Sequence, residues 1–332
     1  MKILITAPLS QSGLNMLYDA GLEVDYHNWL ETGKLYLGGS LLLLIEKSKP
    51  DIVIVEGDEI KDEILQRCSL KLIGSVRNSP NNIDVLLATK MGIPVISAPG
   101  RNTIAVAELT IALMLSQSRN LIRAERLLKT DFFVDDFKDF ANMYMNLKGF
   151  ELCNKTVGII GLGAIGTEVA KRLQAFGVSI LIYDPYVTED RVSDVKATQV
   201  DLNTLLSEAD IITIHCTPTD ETLHLLGPDE IASMKKTAFL INTARASIVD
   251  EDALYNALTS KSIAGAGLDV FSMEPVDCDN RFLELDNVTI MPHMGGNTVE
   301  TIERQSASIV TDILTFIKGE RPKHLLNPEV YE

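Results

Sequence analysis

Residues 156–173 read TVGIIGLGAIGTEVAKRL, and their order of strand, glycine turn and helix sets the fold class. Val157, Ile159 and Ile160 form a short β-branched run, whereas Val169, Ala170 and Leu173 recur at helical spacing beyond the turn. Between them Gly161, Gly163 and Gly166 make a G-x-G-x-x-G motif. In such a motif one glycine makes a tight turn, one lets a pyrophosphate approach bare backbone, and one allows close helix-to-strand contact. The phosphates would rest on the helix N-terminus, where unpaired N–H groups and the helix dipole favour an anion. Glycine turns of this form also occur with no ligand, so the context matters. ILIY, 180–183, reads as a second strand ending in Asp184, roughly 20 residues past the turn, where a carboxylate can accept the ribose hydroxyls and repel a 2′-phosphate. The motif therefore predicts a bound dinucleotide, with NAD preferred over NADP.

Outward from that stretch, residues 1–98 alternate strand-like and helix-like segments: KILIT, a helix near Gln11–Asp19, LEVDYH, a helix around Ser40–Lys47, DIVIVEG, LKLIGSV and PVISA. Such alternation predicts a parallel sheet with helices on both faces. NNIDVLLATKMG supplies a further helix closed by Gly92, and APGRN, 98–102, punctuates the chain. One long helix is expected from Thr103 to Lys129, its basic end (Arg119, Arg123, Arg126, Lys129) complementing the helix C-terminus. Residues 130–151 read as irregular but hold Phe132, Phe133, Phe137, Phe140, Met143, Tyr144, Met145 and Phe150, which points to intrachain packing or to the interface of a homodimer. Downstream of the glycine motif, DIITIHC, TAFLINTA, AGAGLDVF and NVTIMPH complete a six-strand pattern. A helix follows from Asn297 to about Lys318, and the tail ERPKHLLNPEVYE is expected to pack back on the body.

Composition narrows the partners. The 332 residues have room for about two domains, and 46% apolar with 23% charged residues describe a soluble protein with a full core. A net charge of -16 argues against nucleic acid or an anionic membrane surface, so an anionic substrate would need local arginines. Cys68, Cys153, Cys216 and Cys278 are scattered and form no metal spacing, as expected of reduced thiols in a cytoplasmic protein. MKILITAPL lacks the features of a signal peptide, and the apolar helix near Ile104–Leu115 is too short to span a bilayer. The five histidines, His27, His215, His224, His293 and His324, show no paired-ligand spacing, so no metal is expected.

Three residues that carry chemistry stand where strands end, and in open parallel sheets those carboxyl ends form the ligand crevice. Arg245 ends FLINTAR, Glu274 lies just after GLDVF, and His293 ends NVTIMPH. Singly, each is compatible with a solvated cap, a surface acid or a packed histidine. Together, beside a dinucleotide unit, they are what hydride transfer at a hydroxyl-bearing carbon requires. Imidazole titrates near neutral pH and can exchange the hydroxyl proton. Glu274 would orient the ring and favour its protonated form, and Arg245 can fork onto a carboxylate and polarise the adjacent carbonyl.

These residues lie within GLGAIG, HCTPTDETLHLL, INTARASIVDEDAL, GAGLDVFSMEP and PHMGGNT, and over nearly its whole length the chain resembles the D-isomer-specific 2-hydroxyacid dehydrogenases, in which these motifs appear in this order. The resemblance implies Arg245 as substrate binder, Glu274 as partner and His293 as proton donor and acceptor. It implies cofactor contacts at Gly161, Gly163, Ala164, Ile165 and Gly166 for the pyrophosphate and at Asp184 for the ribose, with Thr217, Thr243, Ala244, Asp269 and Gly295 nearer the nicotinamide. It also implies an α/β fold of two doubly wound parallel-sheet domains. A Rossmann NAD-binding domain, 100–296, is inserted into a flavodoxin-like substrate domain built from 1–99 and 297–332.

Departures from the family pattern bear on the substrate. Ala246 follows the arginine where glycine is usual, Ala164 stands where arginine is frequent, and in the loop SVRNSPNNID, 75–84, Arg77 takes a position commonly glycine. Val76, Arg77 and Asn78 are the expected substrate contacts there. Arg77 with Arg101 would supply the positive charge for a doubly anionic, phosphorylated hydroxy acid. The loop and NTIAVAELT after it are most similar to the phosphoglycerate dehydrogenase branch, which feeds serine synthesis; glyoxylate, hydroxypyruvate and other 2-oxo acids are the alternatives. The chain ends without room for an added regulatory domain, so serine feedback through one is not expected. An NAD-sensing corepressor is a distant alternative that the three residues do not exclude. Formate dehydrogenase is disfavoured, because its glutamate position is typically glutamine.

Overall fold

The computed structural model describes residues 1–37, 39–130 and 134–332. By contact clustering these form two compact units, Met1–Arg101 with Thr298–Glu332, and Asn102–Asn297. The first contains β1 (Lys2–Ile5), β2 (Glu23–Tyr26), β3 (Ile52–Val55), β4 (Leu72–Ser75) and β5 (Val95–Ile96). The second contains β6 (Thr156–Ile160), β7 (Ser179–Tyr183), β8 (Thr198–Gln199), β9 (Ile211–Ile214), β10 (Phe239–Asn242), β11 (Gly265–Leu268) and β12 (Val288–Ile290). All strand pairs are parallel.

The five-stranded sheet has the order β2-β1-β3-β4-β5 and the seven-stranded sheet β12-β11-β10-β9-β6-β7-β8. Both orders reverse direction once, the first between β1 and β3 and the second between β6 and β9, which makes both units doubly wound. The alternation of side chains along a strand explains the two-faced cover. Ile3 and Ile5 pack with Leu14, Leu17, Ile309, Val310 and Ile313 on one face. Leu4, Val53 and Val55 pack with Leu41, Ile45 and Ile64 on the other. Each such fully buried aliphatic side chain contributes about 1.5–3 kcal/mol relative to exposure. In the second unit Ile212 and Ile214 face Leu205, Leu254 and Leu258, while Val157 and Ile159 face Val169, Leu173 and Met114.

Four expectations change. The nucleotide-type sheet has seven strands, because the two-residue, exposed β8 adds an edge that its composition does not announce. The helix from Thr103 stops at Ser118, and a second begins at Leu121. The break is made from outside: the Phe150 N–H donates to the Ser118 carbonyl at 2.9 Å, and Asn120 adopts φ +53 between the helices. Asparagine tolerates that left-handed conformation better than most residues. The basic end therefore belongs to its own short helix, where Arg126 pairs with Asp286 and Lys129 with Glu125. Finally, Phe137–Asn146 is a helix capped by Asp136, whose Oδ1 accepts the Lys138 and Asp139 N–H groups at 2.8 and 2.9 Å. Phe137, Phe140, Tyr144 and Met145 on it are exposed, whereas Phe150 packs against Phe239 with ring centroids 5.6 Å apart. Phe132 and Phe133 lie outside the described residues. Among the described residues no helix is long and apolar enough to cross a membrane.

Candidate active site

The glycine motif lies at the β6/β9 reversal. Gly161 leaves β6 with φ +92, and a Cβ there would stand 2.6 Å from the Cys216 nitrogen at the end of β9. A Cβ on Gly166 would stand 2.2 Å from the Gly161 carbonyl oxygen. These two glycines are required by the protein's own packing. Gly163 is different: a Cβ there meets nothing within 4 Å. It caps the helix Ala164–Leu173 without a side chain, so the N–H groups of Ala164 and Ile165 open that helix over bare backbone. Open space over a helix N-terminus, with no capping side chain in it, fits a pyrophosphate.

Asp184 ends β7 and is half-buried. Its Oδ2 accepts the Leu162 N–H at 2.8 Å and its Oδ1 the Tyr186 N–H at 2.9 Å. The carboxylate thus braces the glycine loop from both of its oxygens. Arg191 clasps the same residue from the other side, donating to the Leu162 carbonyl at 2.7 Å. Its approach to the loop was not legible from its position in the chain. His215, after β9, has its imidazole pushed down to about 3 by burial, and burial raises the Cys216 thiol to about 11. Both are neutral at physiological pH.

Arg245 follows β10, Asp269 and Glu274 follow β11, and His293 follows β12. His293 Nδ1 lies 2.7 Å from Glu274 Oε2, and Glu274 Oε1 accepts the Phe271 N–H at 3.1 Å. Both side chains are exposed enough to meet a ligand, at 44% and 33%. His293 holds φ +53, a conformation few non-glycine residues adopt. The buried Asp269 stabilises it: its two oxygens accept the Met294 and Gly295 N–H groups, each at 2.8 Å. Burial raises the Asp269 carboxyl against the lowering effect of those two donors. A Cβ on Gly295 would come within 2.9 Å of Asp269, so glycine keeps that pairing intact.

Arg245 is exposed, and its Nη1 donates to the Ala244 carbonyl at 2.6 Å. Among the described residues no hydrogen bond or ion pair joins it to Glu274 or His293. Asn242 shapes the arginine's turn, accepting the Ala244 N–H and donating to the Arg245 carbonyl. Thr243 is buried against Thr110, hydroxyl to hydroxyl at 2.9 Å, and Thr217 is exposed in a turn held by Thr222.

In the other unit, Val76 is buried, Asn78 is exposed, and Arg77 reaches Asn81 Oδ1 at 3.5 Å. Arg101 is already engaged: its guanidinium pairs with Glu56 at 2.7 Å and bonds Gln305, while Trp29 Nε1 donates to the other Glu56 oxygen at 2.9 Å. Glu56, Trp29 and Gln305 are widely separated in sequence from Arg101, and no local pattern links them.

Comparison with known proteins agrees with this geometry. The family model described as "D-isomer specific 2-hydroxyacid dehydrogenase, NAD binding domain" matches residues 111–295. The chain is 36% identical to a D-3-phosphoglycerate dehydrogenase of Archaeoglobus fulgidus over 98% of its own length, but spans only 59% of that relative. It is 37% identical to a glyoxylate reductase of Thermofilum pendens, covering 99% of this chain and 95% of the other. A crystal structure described as a putative D-isomer specific 2-hydroxyacid dehydrogenase from Polaromonas superposes with a TM-score of 0.87 at 26% identity, covering 98% and 99% of the two chains. A nicotinamide dinucleotide fits the open glycine loop, which falls inside the matched region, and the chain belongs to the D-isomer-specific 2-hydroxyacid dehydrogenase family.

Proposed function

We propose that the protein is an NAD-dependent oxidoreductase that moves a hydride between the nicotinamide and C2 of a D-2-hydroxy acid or 2-oxo acid. The observation that carries this reading is the 2.7 Å pairing of His293 Nδ1 with Glu274. When bound, NAD supplies the hydride acceptor or donor. With Nδ1 committed to the carboxylate, His293 Nε2 takes the hydroxyl proton as the alcohol is oxidised and returns it when the oxo acid is reduced. Arg245 forks onto the substrate carboxylate and polarises the neighbouring carbonyl. Gly161–Gly166 with the Ala164 and Ile165 N–H groups hold the pyrophosphate. Asp184 accepts the ribose hydroxyls, and its negative charge disfavours a 2′-phosphate. Thr217, Thr243, Ala244, Asp269 and Gly295 shape the nicotinamide end.

D-3-phosphoglycerate is the favoured substrate, with Val76, Arg77 and Asn78 as its contacts and the first hundred residues plus the C-terminal segment as the substrate domain. Glyoxylate or hydroxypyruvate is the alternative, in keeping with relatives named glyoxylate reductase. Arg77, in the loop that also carries Val76 and Asn78, is assigned any preference for a second negative charge. The exposed Phe137, Phe140 and Tyr144 favour a homodimer, and four free thiols favour the cytoplasm. The test is a panel of 2-oxo and 2-hydroxy acids, phosphorylated and not, followed by NADH absorbance. Turnover is expected on at least one member. No turnover on any, with NAD still bound, would replace the enzyme with an NAD-sensing binding protein.

A further inference from the structure

We infer that Glu251 is a positioning residue for the acid–base pair, tying the segment that carries Arg245 to the turn that carries Glu274; this rests on His293 being the proton carrier. Both oxygens of Glu251 meet one residue: Oε1 accepts the Ser272 N–H at 2.8 Å and Oε2 the Ser272 hydroxyl. Ser272 belongs to the turn Phe271–Glu274, which closes on itself through the Phe271 N–H and Glu274 Oε1. The second oxygen of Glu274 is the one that meets His293. Glu251 is therefore one residue's tether away from the carboxylate that orients the imidazole.

The turn needs such a tether. Phe271 is buried, but Ser272, Met273, Glu274 and Pro275 are all exposed, so little apolar packing fixes the carboxylate's position. Polar ties must do it, and a shift of about 1 Å is enough to lose a 2.7 Å hydrogen bond and roughly 10²-fold in rate. At its other end Glu251 is anchored firmly. It opens the helix Glu251–Thr259, whose cap Asp250 accepts the Asp252 and Ala253 N–H groups and donates its own N–H to the Leu226 carbonyl at 3.0 Å. Only the 3-10 turn Ala246–Ile248 and two further residues separate that helix from Arg245. The carboxylate-binding arginine and the proton-carrying histidine are thereby held to one scaffold. A second tie, Asp252 to Arg281 at 2.5 Å, joins the same helix to the chain beyond the turn and touches neither Ser272 nor Glu274.

The experiment uses the full chain with its best substrate. It measures kcat, both KM values and NAD binding by calorimetry for Glu251→Ala, Glu251→Gln, His293→Ala, the double variant Glu251→Ala/His293→Ala, and Asp252→Asn. Glu251→Ala should lower kcat by about 10- to 100-fold with the KM for NAD unchanged. Glu251→Gln keeps one acceptor oxygen and should recover part of the loss; it carries the test alone if the alanine variant does not fold. The double variant should be no slower than His293→Ala, because groups acting through one another are not additive. Asp252→Asn should stay near wild type. Wild-type kcat in Glu251→Ala beside a dead His293→Ala would overturn the inference alone, as would a full multiplicative loss in the double variant or an equal loss in Asp252→Asn. Intact turnover in His293→Ala would remove the proposed chemistry, and this inference with it.

Discussion

At the β6/β9 reversal the chain leaves bare backbone, whereas at the β1/β3 reversal it builds a polar network of its own side chains. In the first place Gly163 faces open space over a helix start. In the second, Asp58 is fully buried, accepting the Thr6 hydroxyl and the Tyr36 N–H, each at 2.6 Å, while Asn82 donates to its carbonyl. Glu56, Arg101, Trp29 and Gln305 extend that network, and Gln305 reaches the Pro8 carbonyl at 2.6 Å. Doubly wound topology offers a crevice at both places. The side chains decide whether it is kept for a ligand or filled by the protein itself.

Four substitutions test this contrast. Gly166→Ala should do most: its methyl group would sit 2.2 Å from the Gly161 carbonyl, so it should cost about 3 kcal/mol and abolish NAD binding, read by urea unfolding and calorimetry. Asp58→Ala removes the acceptor of the part-buried Tyr36 N–H and leaves the Thr6 hydroxyl only its longer bond to the Ile54 carbonyl, and a loss of about 1–3 kcal/mol is expected with kcat per folded molecule unchanged. A fall in kcat as large as that of His293→Ala would show that the network serves the chemistry.

A third expectation concerns pH. His215 titrates at about 3 folded against an ordinary value near 6.5, so between those values the unfolded chain binds more protons. Its stabilising effect is complete above pH 6.5 and declines by at most about 1.4 kcal/mol per unit as pH falls toward 3. Unfolding midpoints from pH 7 to 4.5 should fall less steeply in His215→Asn than in the wild type; parallel slopes would sink the assignment. The smallest effect on stability belongs to Gly163→Ala, within about 0.5 kcal/mol, because nothing in the protein opposes the added methyl. It should nonetheless weaken NAD binding if the pyrophosphate occupies the open space that the methyl group would enter. Unweakened binding would mean that the open space is not the phosphate site.

What the sequence made legible follows the same division. The glycine loop, Asp184 and the three residues after strands are local patterns; Arg245, Glu274 and His293 lie in the segments that follow β10 (Phe239–Asn242), β11 (Gly265–Leu268) and β12 (Val288–Ile290), a few residues beyond each strand's end. The helix break at Asn120 was hidden because Phe150, some thirty residues later, makes it by taking the Ser118 carbonyl. The helix Phe137–Asn146 was present in the spacing of Phe137, Phe140 and Tyr144, but such exposed aromatic groups resemble loop anchors more than a helix face. Arg101 shows the limit best. An arginine in a loop reads as available charge, and only the fold brings Glu56 against it.

The insertion of one unit into the other has a consequence for synthesis. Ile309, Val310 and Ile313 complete the core around Ile3, Ile5 and Leu17, so the first hundred residues lack part of their core until the last helix has been made. At ordinary translation rates the roughly 200 intervening residues take about 10–40 s to appear. For that interval the second unit, continuous in sequence, can fold by itself, while the first waits on the ribosome with the apolar sides of β1 and β3 incompletely covered. That nascent segment is where a chaperone would be expected to bind.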